Sequence, residues 1–144
     1  MPKISRQVLV RFSAQQMFDL VNDVESYPQF LPGCSGGEIL ESSTEHMLAR
    51  VDISKAGIAK SFTTRNRLIP GKLIQLTLEK GPFKFLQGQW QFTALTDDAC
   101  KIEFELEFEF SNSLAAMAFG KIFQELVAAM VTAFTERAKI IYAK

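Results

Sequence analysis

Residues 113–142 read as a single helix, and that helix constrains the rest of the chain. Ser111-Asn112-Ser113 supplies its N-cap. At ~1.5 Å per residue it is about 45 Å long. Its polar stripe is narrow: Lys121, Gln124, Glu125, Thr132, Thr135, Glu136 and Lys139. The remainder is broadly apolar and includes Phe119, Ile122, Phe123, Leu126, Met130, Ala133 and Phe134. A helix this apolar needs a wide apolar partner. A chain of 144 residues suits one domain, here 1–144, so that partner has to come from the same domain.

The preceding text supplies it. Cys100, Ile102, Phe104, Leu106, Phe108 and Phe110 alternate with Lys101, Glu103, Glu105, Glu107 and Glu109. Strict period two means a strand with one buried and one wet face. Segments near 37–42, 47–54, 58–69, 73–79 and 85–95 also read as strands. Ser43-Thr44-Glu45, Ala56-Gly57, Pro70-Gly71, Gly81-Pro82 and Asp97-Asp98 are the turns between them. Residues 4–12 form a first strand. Ser13, with Gln16 three residues on, is a capping-box pattern that starts a helix at Ala14. Met17, Phe18, Val21 and Val24 give this helix its apolar face. Pro28 is placed to open a second short helix and Pro32-Gly33 to end it. The expected class is α+β: a curved seven-stranded antiparallel sheet wrapped around a long C-terminal helix, with two short helices after the first strand. The first strand pairs with the last. Such a grip tends to leave a cavity.

Composition narrows the chemistry. Thirteen Phe stand against two Tyr and one Trp, so the interior is large and nearly purely apolar. Sixteen basic and sixteen acidic residues cancel, which removes any global attraction to nucleic acid or anionic membrane. The balance is not local. Arg50, Lys55, Lys60, Arg65, Arg67 and Lys72 face only Asp52 in residues 50–72, whereas residues 97–109 carry six acids against Lys101. In a meander these strands lie three places apart, about 14 Å. A bipolar surface is expected: either a basic docking patch or two solvated faces. Cys34, Cys100 and the single His46 make neither a disulfide scaffold nor a zinc site, and no metal is expected. His46 has no Ser-His-Asp or Cys-His setting, no phosphate-binding glycine loop occurs, and no reaction is proposed by any motif. The N-terminus lacks a cleavage site. The longest C-terminal apolar runs, Leu114–Phe119 and Leu126–Val131, fall short of the ~18 residues of a membrane span. A cytoplasmic protein without a membrane span is expected.

Five strings carry a resemblance: residues 23–34 (DVESYPQFLPGC), 51–66 (VDISKAGIAKSFTTRN), 81–92 (GPFKFLQGQWQF), 100–110 (CKIEFELEFEF) and 118–139. Together they resemble the START-like (polyketide cyclase/lipid transport) family, in its coenzyme Q-binding and ribosome-association toxin branch. They cover nearly the whole chain in order. The resemblance implies a helix-grip (START/Bet v 1-like) fold with a lipophilic cavity. It also implies two activities, both non-enzymatic: docking on the large ribosomal subunit, through rRNA or protein, to block subunit association, or carrying ubiquinone or another isoprenoid or lipid in support of respiration. No cofactor is required by either, and a small antitoxin-like protein is a further partner of the first. A polyketide cyclase/aromatase activity ranks lower, because it needs a polar acid/base pair in the pocket.

The residues offer matching candidates. Tyr27, Phe30 and Leu31, on a proline-stiffened loop, are placed to line or gate the cavity mouth, or merely to cap the sheet. Phe62, Trp90, Phe92, Phe104, Phe108, Phe119, Phe123 and Met130 are pocket candidates that serve equally as core. Lys55, Lys60, Arg65 and Arg67 are the ribosome-facing candidates. If Phe62 points inward, Lys60, Thr64 and Asn66 share its face, and Lys60 leaves the docking patch.

Overall fold

The computed structural model describes residues 3–55 and 57–142, so Ala56 of the expected Ala56-Gly57 turn lies outside the described residues. Strand β1 (Lys3–Val10) runs into Ser13, which caps helix α1 (Ala14–Asn22). The Ser13 hydroxyl accepts from the Gln16 amide at 3.0 Å, and the Gln16 side chain accepts from the Ser13 amide at 2.9 Å. This is the capping box read from the sequence. A 3-10 helix (Val24–Gln29) follows, then β2 (Cys34–Ser42), β3 (His46–Lys55), β4 (Ile58–Ile69), β5 (Leu73–Lys80), β6 (Phe83–Thr96), β7 (Ala99–Phe110) and helix α2 (Ser113–Ile141).

Pro28 sits inside the 3-10 helix rather than opening it. Its turns are closed by the amides of Ser26, Phe30 and Leu31, so position 28 needs no donor. All seven strands form one antiparallel sheet in the order β1-β7-β6-β5-β4-β3-β2. The first strand pairs with the last, from Lys3 opposite Glu107 to Val10 opposite Cys100. Strand β2 begins earlier than its composition suggests, because Cys34 and Gly36 already pair with Ile53 and Asp52 of β3, and Gly37 admits close contact with the 3-10 helix. A Cβ there would lie 2.3 Å from the Val24 carbonyl oxygen. Gly88 likewise lets β6 close on β7, where a Cβ would lie 2.2 Å from the Glu105 carbonyl oxygen.

On the concave face α2 buries Phe119, Phe123, Leu126, Val127, Val131, Phe134 and Ala138. These recur every three to four residues. The helix is not covered throughout: Leu114 and Met117 are 74% and 83% exposed. An 18-residue stretch of α2 reaches a mean hydropathy of 1.5, so by length and composition it meets the criterion for a membrane span. Counting only uninterrupted apolar runs misses this. In the fold it is the core helix. Toward its start, Phe119 and Phe123 pack with Phe62, Phe83, Phe108 and Phe110, including ring contacts of 4.9 Å between Phe123 and both Phe83 and Phe108. Phe134, eleven residues on, meets Tyr27, Phe30 and Trp90 at 5.3–5.4 Å.

Candidate functional site

Between these two aromatic groups the concave face does not close. A cavity of about 70 Å³ remains. That is roughly half of the ~150 Å³ engineered apolar cavity that holds benzene. Its sheet wall is Ala49 and Val51 of β3, Phe62, Thr64 and Asn66 of β4, Ile74 and Leu76 of β5, Leu86 and Trp90 of β6, and Phe104 and Leu106 of β7. Phe123, Leu126, Val127 and Met130 of α2 form the opposite wall. Val21, Asn22, Val24, Tyr27 and Leu31 close the side next to α1 and the 3-10 helix.

Of the pocket candidates, Tyr27, Leu31, Phe62, Trp90, Phe104, Phe123 and Met130 therefore line the cavity. Phe30, Phe92, Phe108 and Phe119 do not. Phe30 packs on Phe134 under the Arg137 guanidinium, 5.1 Å from its ring centre. Phe92 is held between Phe18 and Trp90, while Phe108 and Phe119 are fully buried among other rings. Strand parity selects the inner face, but it does not distinguish a residue facing space from one facing another ring. The 3-10 helix bearing Tyr27 is fastened to both helices. The Tyr27 hydroxyl donates to the Val21 carbonyl. Arg137 of α2 donates to the Gln29 side chain at 2.7 Å.

Two polar side chains interrupt the sheet wall. Thr64 and Asn66 are 7% and 4% exposed, and the Thr64 hydroxyl donates to Asn66 Oδ1 at 2.8 Å. Asn22 adds a third from α1. The sequence singles out Thr64 and Asn66 through the parity of Phe62; nothing in the sequence singled out Asn22. No Asp, Glu, His, Lys or Arg lines the cavity among the described residues. Burial drives the Tyr27 phenol far above its ordinary range, with the nearby Cys34 and Asp23 adding to the effect. The Cys34 and Cys100 thiols are buried and free, and burial raises both pKa values. Among the described residues no cluster suited to a metal ion occurs.

The convex face is polar, and its residues line up across the strands. Ser5, Glu105, Gln89, Gln75, Arg67 and His46 are successive register partners from β1 to β3. Lys3, Glu107, Gln87, Thr77 and Arg65 make the adjacent row. Glutamines and a threonine thus separate the glutamates of β7 from the two arginines. Lys3, Lys84 and Lys101 lie 3.5–3.9 Å from Glu107, Glu109 and Glu103. Arg65 lies 3.3 Å from Glu79; Arg67 has no ion pair among the described residues. Arg50 is committed to Asp52 and Glu38.

The four basic candidates do not share one face. Phe62 points inward against Phe83 and Phe123, so Lys60 takes the inner parity at the far end of β4, where it is exposed. Lys55 also has inner parity and pairs with Glu125 of α2 at 3.5 Å. Only Arg65 and Arg67 stand on the convex side.

The profile of polyketide cyclase / dehydrase and lipid transport proteins matches residues 10–135. The chain belongs to that family. It is 60% identical over 142 residues to the ribosome association toxin RatA of Vibrio cholerae serotype O1, covering 99% of both chains. It is 27% identical to the coenzyme Q-binding protein COQ10 homolog B of Xenopus laevis, covering 97% of this chain and 59% of that one. Among solved structures, the Zhui aromatase/cyclase of Streptomyces sp. R1128 shares the fold with a TM-score of 0.81 at 19% identity, covering 96% of this chain and 93% of that one. These findings and the sheet topology bear out the START-like, helix-grip expectation. Within the family this member's cavity is apolar, with a short polar strip on β4.

Proposed function

We propose that this chain is a non-enzymatic ribosome association toxin that docks on the large ribosomal subunit and blocks its association with the small one. The observation that carries the reading is 60% identity, over 99% of both chains, to a relative named for ribosome association. The convex face supports it. Arg65 and Arg67 project from a polar sheet surface, and arginine is suited to bidentate phosphate contacts. The glutamates of β7, three strands away, would orient the approach by repelling the phosphate backbone.

The non-enzymatic part rests on the cavity's lining. General acid–base chemistry needs a titratable pair within reach of substrate, and the lining residues provide none. The apolar cavity supports a lipophilic ligand as a second property of the same molecule, in keeping with the coenzyme Q-binding relative. At about 70 Å³ the cavity has to widen before it accepts a ring-sized group. Met130, unbranched and in the wall, is the side chain best able to yield.

Co-sedimentation tests the reading. Purified protein layered with isolated large subunits should pellet with them and remain in the supernatant with small subunits alone. Bound protein should fall steeply as salt is raised, because phosphate contacts release counterions. Failure to pellet with large subunits at low salt would reject ribosome docking.

A further inference from the structure

The polar groups in the cavity wall are incompletely matched. Asn66 is 4% exposed, and its side-chain oxygen is taken by Thr64. Its amide N–H groups meet no acceptor among the described residues. Asn22 Oδ1, in the same cavity, is buried and receives no hydrogen bond among the described residues. One unpaired donor and one unpaired acceptor therefore belong to residues of a wall that is otherwise Thr64 and Ala, Val, Leu, Ile, Met and aromatic side chains. An unmade hydrogen bond in such surroundings is costly, so the arrangement favours an occupant that supplies both partners.

We infer that Asn22, Thr64 and Asn66 form a head-group site for an amphiphile bearing a neutral hydroxyl, with its hydrocarbon part against Leu126, Val127 and Met130. This inference rests on the lipophilic-ligand reading of the cavity and names the chemistry at its polar end. A hydroxyl accepts from the Asn66 amide and donates to Asn22 Oδ1. A carboxylate or phosphate offers acceptors only and meets no cation, because no Lys, Arg or His lines the cavity among the described residues. A plain hydrocarbon leaves both amides unmatched. Selectivity should therefore run alcohol over alkane over carboxylate.

Trp90 is the only tryptophan and lies in the cavity wall, so its fluorescence reports occupancy. The probes are 1-hexanol, hexane and hexanoate at pH 7.5, titrated into wild-type protein and into Thr64→Val and Asn66→Leu. Thr64→Val preserves shape, which keeps the test available if Asn66→Leu fails to fold. In wild type, hexanol should shift Trp90 emission saturably, with hexanoate at least 100-fold weaker. Asn66→Leu should weaken hexanol about 10-fold, Thr64→Val should weaken it less, by releasing the hold on the Asn66 amide, and both should leave hexane unchanged or tighter. Binding of hexanoate as tight as hexanol, or variants that retain the full preference for hexanol over hexane, would overturn the head-group site while leaving a lipophilic cavity in place. Saturable binding by none of the three would overturn the lipophilic cavity itself, and the site with it.

Discussion

Replacing Phe123 by alanine is expected to remove about 4 kcal/mol of folding stability. Phe123 is 1% exposed and its ring meets Phe62, Phe83, Phe108, Phe110 and Phe119. It also separates the cavity from this aromatic group, so truncation joins a new void to an existing space and takes one aromatic contact from each of five rings. In a chain of this length the midpoint of thermal unfolding should fall by roughly 12 °C. Met117→Ala, on the same helix but at an 83% exposed position, should change stability by less than about 0.5 kcal/mol. Thermal and urea unfolding of the two variants measures the contrast. Equal effects would mean that α2 is not gripped as described.

The second large effect concerns the outer face. Arg65→Glu with Arg67→Glu should abolish co-sedimentation with large subunits while leaving the fold intact. The double change alters the local charge by four units at the centre of the basic half of the sheet. It breaks one exposed ion pair, Arg65 with Glu79, and such pairs contribute at most about 1 kcal/mol. Lys60→Glu is the control. Its exposed side chain has inner parity at the end of β4, off the convex rows, so this variant should pellet almost as wild type does. Unfolding curves for all three should nearly superimpose. Co-sedimentation of the double variant at wild-type level would remove the convex face from the docking account.

The elements that could be read from the sequence are those whose local pattern and tertiary role agree. The Phe/Glu alternation of β7 survives intact because both neighbours pair with it along its length. Ser13 and Gln16 form their capping box within four residues. The inward turn of Phe62 followed from period two, and it brought Thr64 and Asn66 to the cavity. Other features depended on geometry that no local pattern carries. A register shift between Phe83 and Phe85 resets the phase of β6, so Phe83 and Leu86 both face the core, and Phe83 becomes the ring that links β4, β7 and α2. Phe108 and Phe119 have the right faces for pocket residues yet are sealed by neighbouring rings. Asn22 reaches the cavity only because α1 ends against the concave face. The basic segment looked like one patch along the chain, but alternation divides it between two sides, and Glu79, Glu125 and Asp52 take up Arg65, Lys55 and Arg50.

A subunit-joining gradient decides whether this protein keeps the ribosomal subunits apart. Purified large and small subunits are mixed under magnesium conditions that drive association, with this protein in molar excess, and resolved on sucrose. Separate subunit peaks are expected, with the protein in the large-subunit fractions, and assembled ribosomes should return when the Arg65→Glu, Arg67→Glu variant replaces it. An assembled-ribosome peak undiminished by saturating wild-type protein would contradict the block of subunit association.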